Sequence, residues 1–277
     1  MSLNVETAPP LHADLTYLVA SDEKPKTYMP APEGGEIERT GTYAPVPVVI
    51  LDGRPHARDF SLDDAGFALT RHDTEVTDFF DEAEIKAVYY PEMERLVKQA
   101  TGASRVLVFD HNVRIDGGPD RDDKGIRTAV RLVHNDYTAK SGAQRTKDLL
   151  GEQAAAAALG KRVAVVNVWR PIEGPVESAP LALADARSIA PEELAANDLI
   201  YHDRVGEIYH ATYSPSHRWY HFPKMATDEA LLIKGYDTEE DGRARFTLHT
   251  AFDDPTTPKG ARPRKSIEVR TLAIFDD

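Results

Sequence analysis

From about residue 205 to the end, short runs rich in β-branched and aromatic residues are separated by Pro, Gly, Asp and Ser. The runs are Glu207 to Tyr213, Arg218 to Phe222, Ala230 to Tyr236, Arg245 to Thr250 and Ser266 to Phe275. Strands that follow one another this closely leave no room for the crossover helix a parallel βαβ sheet requires, so they point to a barrel or sandwich. Earlier strands fit the same plan. Arg162-Val163-Ala164-Val165-Val166-Asn167-Val168-Trp169-Arg170-Pro171 is the strongest strand signal, Arg105 to His111 is another, and Val46 to Asp52 is a third that ends in the turn Asp52-Gly53-Arg54-Pro55. The expected class is mainly β with helices packed outside.

Two stretches read as helix. Between Asp81 and Gly102 the residues Ile85, Val88, Tyr89, Met93, Leu96, Val97 and Ala100 recur at steps of three and four, with Pro91 as a kink or first-turn proline and Gly102 as the stop. About Gln144 to Leu159 includes an alanine-rich run and reads as scaffold. Residues 1–45 are rich in Pro, Glu and Gly and read as an extended N-terminal arm, with 46–277 as one domain. Such an arm could reach a neighbouring subunit, which makes a homodimer possible.

Charge and composition remove several function classes. The formal charge of −13 is spread along the chain and disfavours nucleic acid and anionic membrane surfaces. No cysteine is present, so disulfides, thiolate zinc sites and cysteine nucleophiles are excluded, and any metal must be held by His, Asp or Glu. The N-terminus lacks a basic segment followed by an apolar run, and no stretch approaches the roughly 18 apolar residues of a membrane span. A cytoplasmic protein with a small-molecule substrate is expected. Nucleotide-binding glycine loops and Gly-x-Ser-x-Gly elbows are missing from the sequence.

The chemistry concentrates at Val133-His134-Asn135-Asp136-Tyr137-Thr138. On a strand, residues two apart face the same way, so His134 and Asp136 point into one space. An imidazole and a carboxylate are two of the three ligands of the 2-His-1-carboxylate set that holds iron(II) with open positions. The third must come from a strand near in space. His249 lies in a late strand and is followed by Arg264 and Ser266, two apart on the next; His210 is the reserve. In an iron oxygenase that uses 2-oxoglutarate, the distal carboxylate needs a fixed cation and a hydroxyl beside it, and Arg264 with Ser266 suits that need. Arg262 and Arg270 compete for the salt bridge. Asn167, Trp169 and Arg170, at the end of the strongest strand, are candidates for supporting or substrate contact. His217 and His221 are four apart, but Arg218 stands where a zinc hydrolase helix needs Glu.

These residues, with Asn167-Val168-Trp169-Arg170-Pro171, Trp219-Tyr220-His221-Phe222-Pro223-Lys224-Met225, Leu231 to Asp237, His249-Thr250-Ala251-Phe252-Asp253-Asp254-Pro255 and Arg264 to Arg270, occur in one order from about residue 45 onward. In them the chain resembles the iron(II)- and 2-oxoglutarate-dependent oxygenases that include the cephamycin 7α-hydroxylase component, a fungal gibberellin desaturase and fungal endoperoxide-forming meroterpenoid enzymes. The resemblance implies a double-stranded β-helix, a cupin-like jelly-roll barrel with helices on one side. It implies iron(II) at His134, Asp136 and His249, 2-oxoglutarate at Arg264 and Ser266, and O2 as co-reactant. The implied reaction is hydroxylation or desaturation of a small secondary metabolite. His221 and Asn135 depart from the pattern, outside the implied ligands. Two rival readings are a mononuclear metal cupin-like hydrolase or isomerase and a non-catalytic jelly-roll binding protein.

Overall fold

The structure is a computed structural model and describes residues 9–30, 36–117 and 126–276. Its strands, numbered along the chain, form two sheets. The larger runs in the order β1 (Leu11–Leu18), β4 (Tyr43–Asp52), β12 (Trp219–His221), β9 (Leu181–Ala184), β14 (His249–Ala251), β7 (His134–Asn135), β11 (Val205–Ala211), β10 (Leu194–Ile200), β2 (Lys26–Tyr28) and β3 (Glu38–Arg39). The smaller runs β5 (Phe67–Arg71), β13 (Glu229–Asp237), β8 (Val163–Pro171), β15 (Lys265–Ile274) and β6 (Arg105–Ile115). The two sheets form the jelly-roll barrel.

Side-chain alternation sets the layers. From the smaller sheet Phe67, Trp169, Leu231 and Ile233 meet Leu181 and Leu183 of the larger one, and this cluster fills the barrel. The other face of β8 sends Ala164, Val166 and Val168 against Ile85, Tyr89, Met93 and Val97 of the first helical stretch. Covered on both faces, β8 and β13 are buried along their whole length, which is why they read as near-continuous apolar runs.

The helical stretch on that outer face begins at Asp81, whose carboxylate accepts from the backbone N–H of Ala83 and Glu84. It continues through a π-helical turn, Ile85–Tyr89, into the helix Tyr90–Thr101, and Gly102 closes it in the left-handed region at φ 74°. Pro91 sits in the first turn of that last segment, where its missing N–H costs least. The second stretch differs from expectation. It starts earlier and is two helices, Ala139–Leu150 and Glu152–Leu159, divided at Gly151 with φ 78°. Thr138 and Ser141 cap the first of them reciprocally.

The largest departure concerns the N-terminal arm. Within 1–45, β1 pairs along its whole length with β4, and Leu15 and Tyr17 are each only 1% exposed. Trp219 Nε1 donates to Tyr17 Oη at 2.8 Å inside the core cluster. The segment thus supplies core side chains; its Leu-Thr-Tyr-Leu alternation was hidden by the prolines and acids on either side. Among the described residues no helix is long and apolar enough to cross a membrane.

Gly66, just before β5, adopts φ 83°, and a Cβ there would lie 2.2 Å from Thr247 Oγ1. That hydroxyl donates to Gly66 O at 2.8 Å, and Thr247 is two residues from His249. Gly66→Ala is expected to cost about 2–4 kcal/mol, combining the left-handed penalty with overpacking. A fall in the urea midpoint checks it; an unchanged midpoint would mean the turn relaxes freely.

Candidate metal centre

β7 is only two residues long, held between β14 and β11, and His134 is directly opposite both His249 and His210. The His134 and His249 rings stand 4.4 Å apart. Asp136 follows β7 in a bend, and its Oδ1 is 3.6 Å from His134 Nε2. Donor atoms of His134, Asp136 and His249 all lie within 4.8 Å of one another. The strand placement expected for the whole segment shrinks to His134–Asn135, yet the two side chains still converge.

Each imidazole is oriented by its own chain. His134 Nδ1 bonds Leu132 O at 2.6 Å and His249 Nδ1 bonds Thr247 O at 3.0 Å. A carbonyl only accepts, so both Nδ1 atoms carry a proton, and in the neutral imidazole that arrangement places the lone pair on Nε2. Burial, then the neighbouring His249, pulls the His134 imidazole down to about 3, so it is neutral at physiological pH. Burial works against the Asp136 charge, but Arg270, the imidazoles and Asn167 hold the carboxyl well below the usual range. Asp136 Oδ2 accepts from Asn167 Nδ2 at 2.7 Å and Arg270 Nε at 3.1 Å. Oδ1 has no hydrogen bond among the described residues. Two imidazole nitrogens and one carboxylate oxygen on one side are a donor set that fits iron(II).

His210, the reserve ligand, is next in the same row but stays outside this cluster. Its Nδ1 meets Tyr43 Oη at 2.9 Å, with the rings edge to face.

The remaining candidates separate by strand face. Directly opposed residues share a face, so β8, β15 and β6 carry three rows toward the barrel: Pro171, Ser266 and Arg114; Trp169, Glu268 and Asn112; Asn167, Arg270 and Asp110. Asn167 and Trp169 therefore look inward. Arg170 does not: alternation turns it to the outer face, where its Nη2 bonds Thr227 O and its guanidinium lies 5.9 Å from the Tyr89 ring centre. Its expected place beside the substrate is corrected on that ground.

Arg264 is 4% exposed and stands 5.4 Å from the Trp169 ring centre. Burial lowers its guanidinium to about 10, which leaves it cationic. Its Nε and Ser266 Oγ are buried with no hydrogen-bond partner among the described residues. Two orphaned donors two residues apart, Ser266 at the start of β15 and Arg264 just before it, are what a buried carboxylate would satisfy. The competitors are engaged elsewhere: Arg262 is exposed and pairs with Glu177 and Glu173, and all three nitrogens of Arg270 meet carboxylates.

A cleft open to solvent joins the metal cluster to Arg264. His134, Asp136, His249, Arg264 and Trp169 line it, and so do Arg114, Glu268 and Arg270. Glu268 and Arg114 were not foreseen as site residues. For Glu268 the signal was present in Arg264-Lys265-Ser266-Ile267-Glu268-Val269-Arg270, where Ser266, Glu268 and Arg270 alternate with the apolar Ile267 and Val269.

A family model described as an oxidoreductase/YMDC permease-like domain matches residues 15–274. The hydroxylase/desaturase efuI of Hormonema carpetanum is 38% identical over 85% of this chain and 85% of its own length. The Fe(II)/2-oxoglutarate-dependent dioxygenase nvfI of Aspergillus novofumigatus is 33% identical, covering 89% and 90%. The solved structure of the iron and alpha-ketoglutarate-dependent endoperoxidase NvfI superposes with a TM-score of 0.85 at 28% identity, over 96% of this chain and 98% of that one.

A jelly roll that gathers two imidazoles and a carboxylate at one cavity defines a mononuclear metal-dependent enzyme. The chain belongs to the family of iron(II)- and 2-oxoglutarate-dependent dioxygenases, and it is an oxidoreductase.

Proposed function

We propose that this protein oxidises a small secondary metabolite, by hydroxylation or desaturation, with iron(II) held by His134, Asp136 and His249, 2-oxoglutarate as cosubstrate and O2 as oxidant. The observation that carries the residue assignment is that the three-donor cluster shares one cavity with Arg264, whose Nε has no partner among the described residues, and that Ser266 Oγ, two residues further on, is orphaned as well. The hydrolase or isomerase reading leaves those two donors without a purpose, and the binding-protein reading leaves the metal set without one.

Iron with 2-oxoglutarate and O2 supplies the oxidising power when bound. The chain's own residues do the rest. Leu132 O and Thr247 O hold both imidazoles in the tautomer that presents Nε2. Arg264 and Ser266 bind the distal carboxylate of the keto acid, which fixes how far it reaches toward the metal ligands. Trp169, Leu181 and Val130 give the substrate an apolar wall that limits water.

We read the described residues from 11 onward as one folded body working in the cytoplasm on a small molecule, without nucleic acid or membrane. Because β1 is spent within its own sheet, the reach of an N-terminal arm to a second copy is not part of the reading.

The test is titration of the apo-protein under argon with iron(II) and then 2-oxoglutarate. A weak visible charge-transfer band from the chelated keto acid is expected, followed by succinate on admitting O2. Iron binding without either signal would overturn the assignment.

A further inference from the structure

We propose that Arg270 is a positioning residue of the iron site: it fixes Asp136 as a ligand through one oxygen and ties that ligand to the substrate-side wall at Glu268. This rests on the oxygenase reading above. Arg270 Nε donates to Asp136 Oδ2 at 3.1 Å, Nη1 meets Asp110 Oδ1 at 3.2 Å and Nη2 meets Glu268 Oε1 at 3.0 Å. One planar group thus answers three carboxylates in three fixed directions, an arrangement that a lysine's single nitrogen on a flexible stem does not reproduce.

The placement of those contacts gives Arg270 its role. Asn167 is directly opposite Arg270 across β8 and β15, and both side chains donate to the same oxygen of Asp136. With Oδ2 doubly occupied, only Oδ1, on the His134 side, is left for a metal. A carboxylate so held binds through one oxygen. His134, His249 and one oxygen of Asp136 would leave open positions at a bound iron(II), and a carboxylate free to chelate through both oxygens would take one of them. Asp110, on the β6 side, and Glu268, on the same strand, prevent the guanidinium from following Asp136 if it rotates.

The alternative is that Arg270 only neutralises buried acids. The two roles separate by experiment with iron(II) itself as the probe. Arg270→Met, Arg270→Lys and Asp110→Asn are compared with the unaltered protein in three measurements: iron(II) affinity under argon by chelator competition, position and width of the visible band with 2-oxoglutarate, and melting temperature of the apo-protein. For Arg270→Met a ten- to hundredfold weaker iron(II) affinity is expected, the range for partners that hold metal ligands, with a shifted or broadened band. Arg270→Lys should fall between, and Asp110→Asn, which leaves the Asp136 contact in place, should lose less than about threefold.

Iron(II) affinity and band like those of the unaltered protein in a folded Arg270→Met would overturn the proposal. Should that variant not fold, Arg270→Lys decides by the same two readouts, and no change in either overturns it. Failure of the oxygenase reading looks different: the unaltered protein would bind iron but give no band with 2-oxoglutarate.

Discussion

Replacing His249 by alanine is expected to abolish the visible band formed with iron(II) and 2-oxoglutarate and to lower 2-oxoglutarate consumption by at least about a hundredfold. Losing a group that merely supports a metal ligand costs roughly 10–100-fold, and losing the donor itself sits at or beyond the upper end. The fold should survive. Among the described residues the His249 ring hydrogen-bonds Thr247 O alone, so its removal orphans no other buried partner there. His210 cannot step in without giving up Tyr43, and β11 holds it in register with His134. Anaerobic titration of the variant, with circular dichroism to confirm folding, checks the prediction. A persisting band would mean that His210, or another donor, completes the site.

The second large effect is expected at Arg264. Arg264→Ala should weaken 2-oxoglutarate binding by about 3 kcal/mol, the cost of leaving one member of a buried, hydrogen-bonded charge pair alone, or roughly a hundredfold. Iron(II) affinity without the keto acid should not change, because Arg264 contacts none of the three proposed ligands. Arg264→Lys should recover part of the loss, since it restores the charge but not the fork that can meet both carboxylate oxygens. Ser266→Ala removes one neutral donor and should cost about 1 kcal/mol. The affinity for 2-oxoglutarate, read from the band, separates these cases. Equal affinity in Arg264→Ala and the unaltered protein would place the keto acid elsewhere in the cavity.

Much of the site was legible because short-range rules carry it. The two-residue periodicity of a strand brought His134 and Asp136 together, although β7 stops at Asn135. The same rule sets Arg264, Ser266, Glu268 and Arg270 as alternate residues, but in sequence Arg270 looked like a rival to Arg264 for one carboxylate. Their separation needed partners: Asp110 and Asn167 lie far away along the chain and reach Arg270 only through the ladders of β6 and β8. Arg170 was misplaced because a buried strand covered on both faces gives no polar alternation to say which face is which. The N-terminal segment was misjudged because its prolines, glycines and acids flank β1, and composition averaged over 45 residues hides eight that pair and bury.

Composition and neighbours within a few residues are enough for the mainly β class, the exclusion of thiolate chemistry, the His134 and Asp136 pair, and the helix signals at Asp81, Pro91 and Gly102. Tertiary contacts add that His249 rather than His210 lies with that pair, that Arg264 Nε has no partner among the described residues while each nitrogen of Arg270 meets a carboxylate, and that Arg170 faces out. Those outcomes depend on strand register and on which buried groups find partners, and both are set by contacts between residues up to about 200 positions apart.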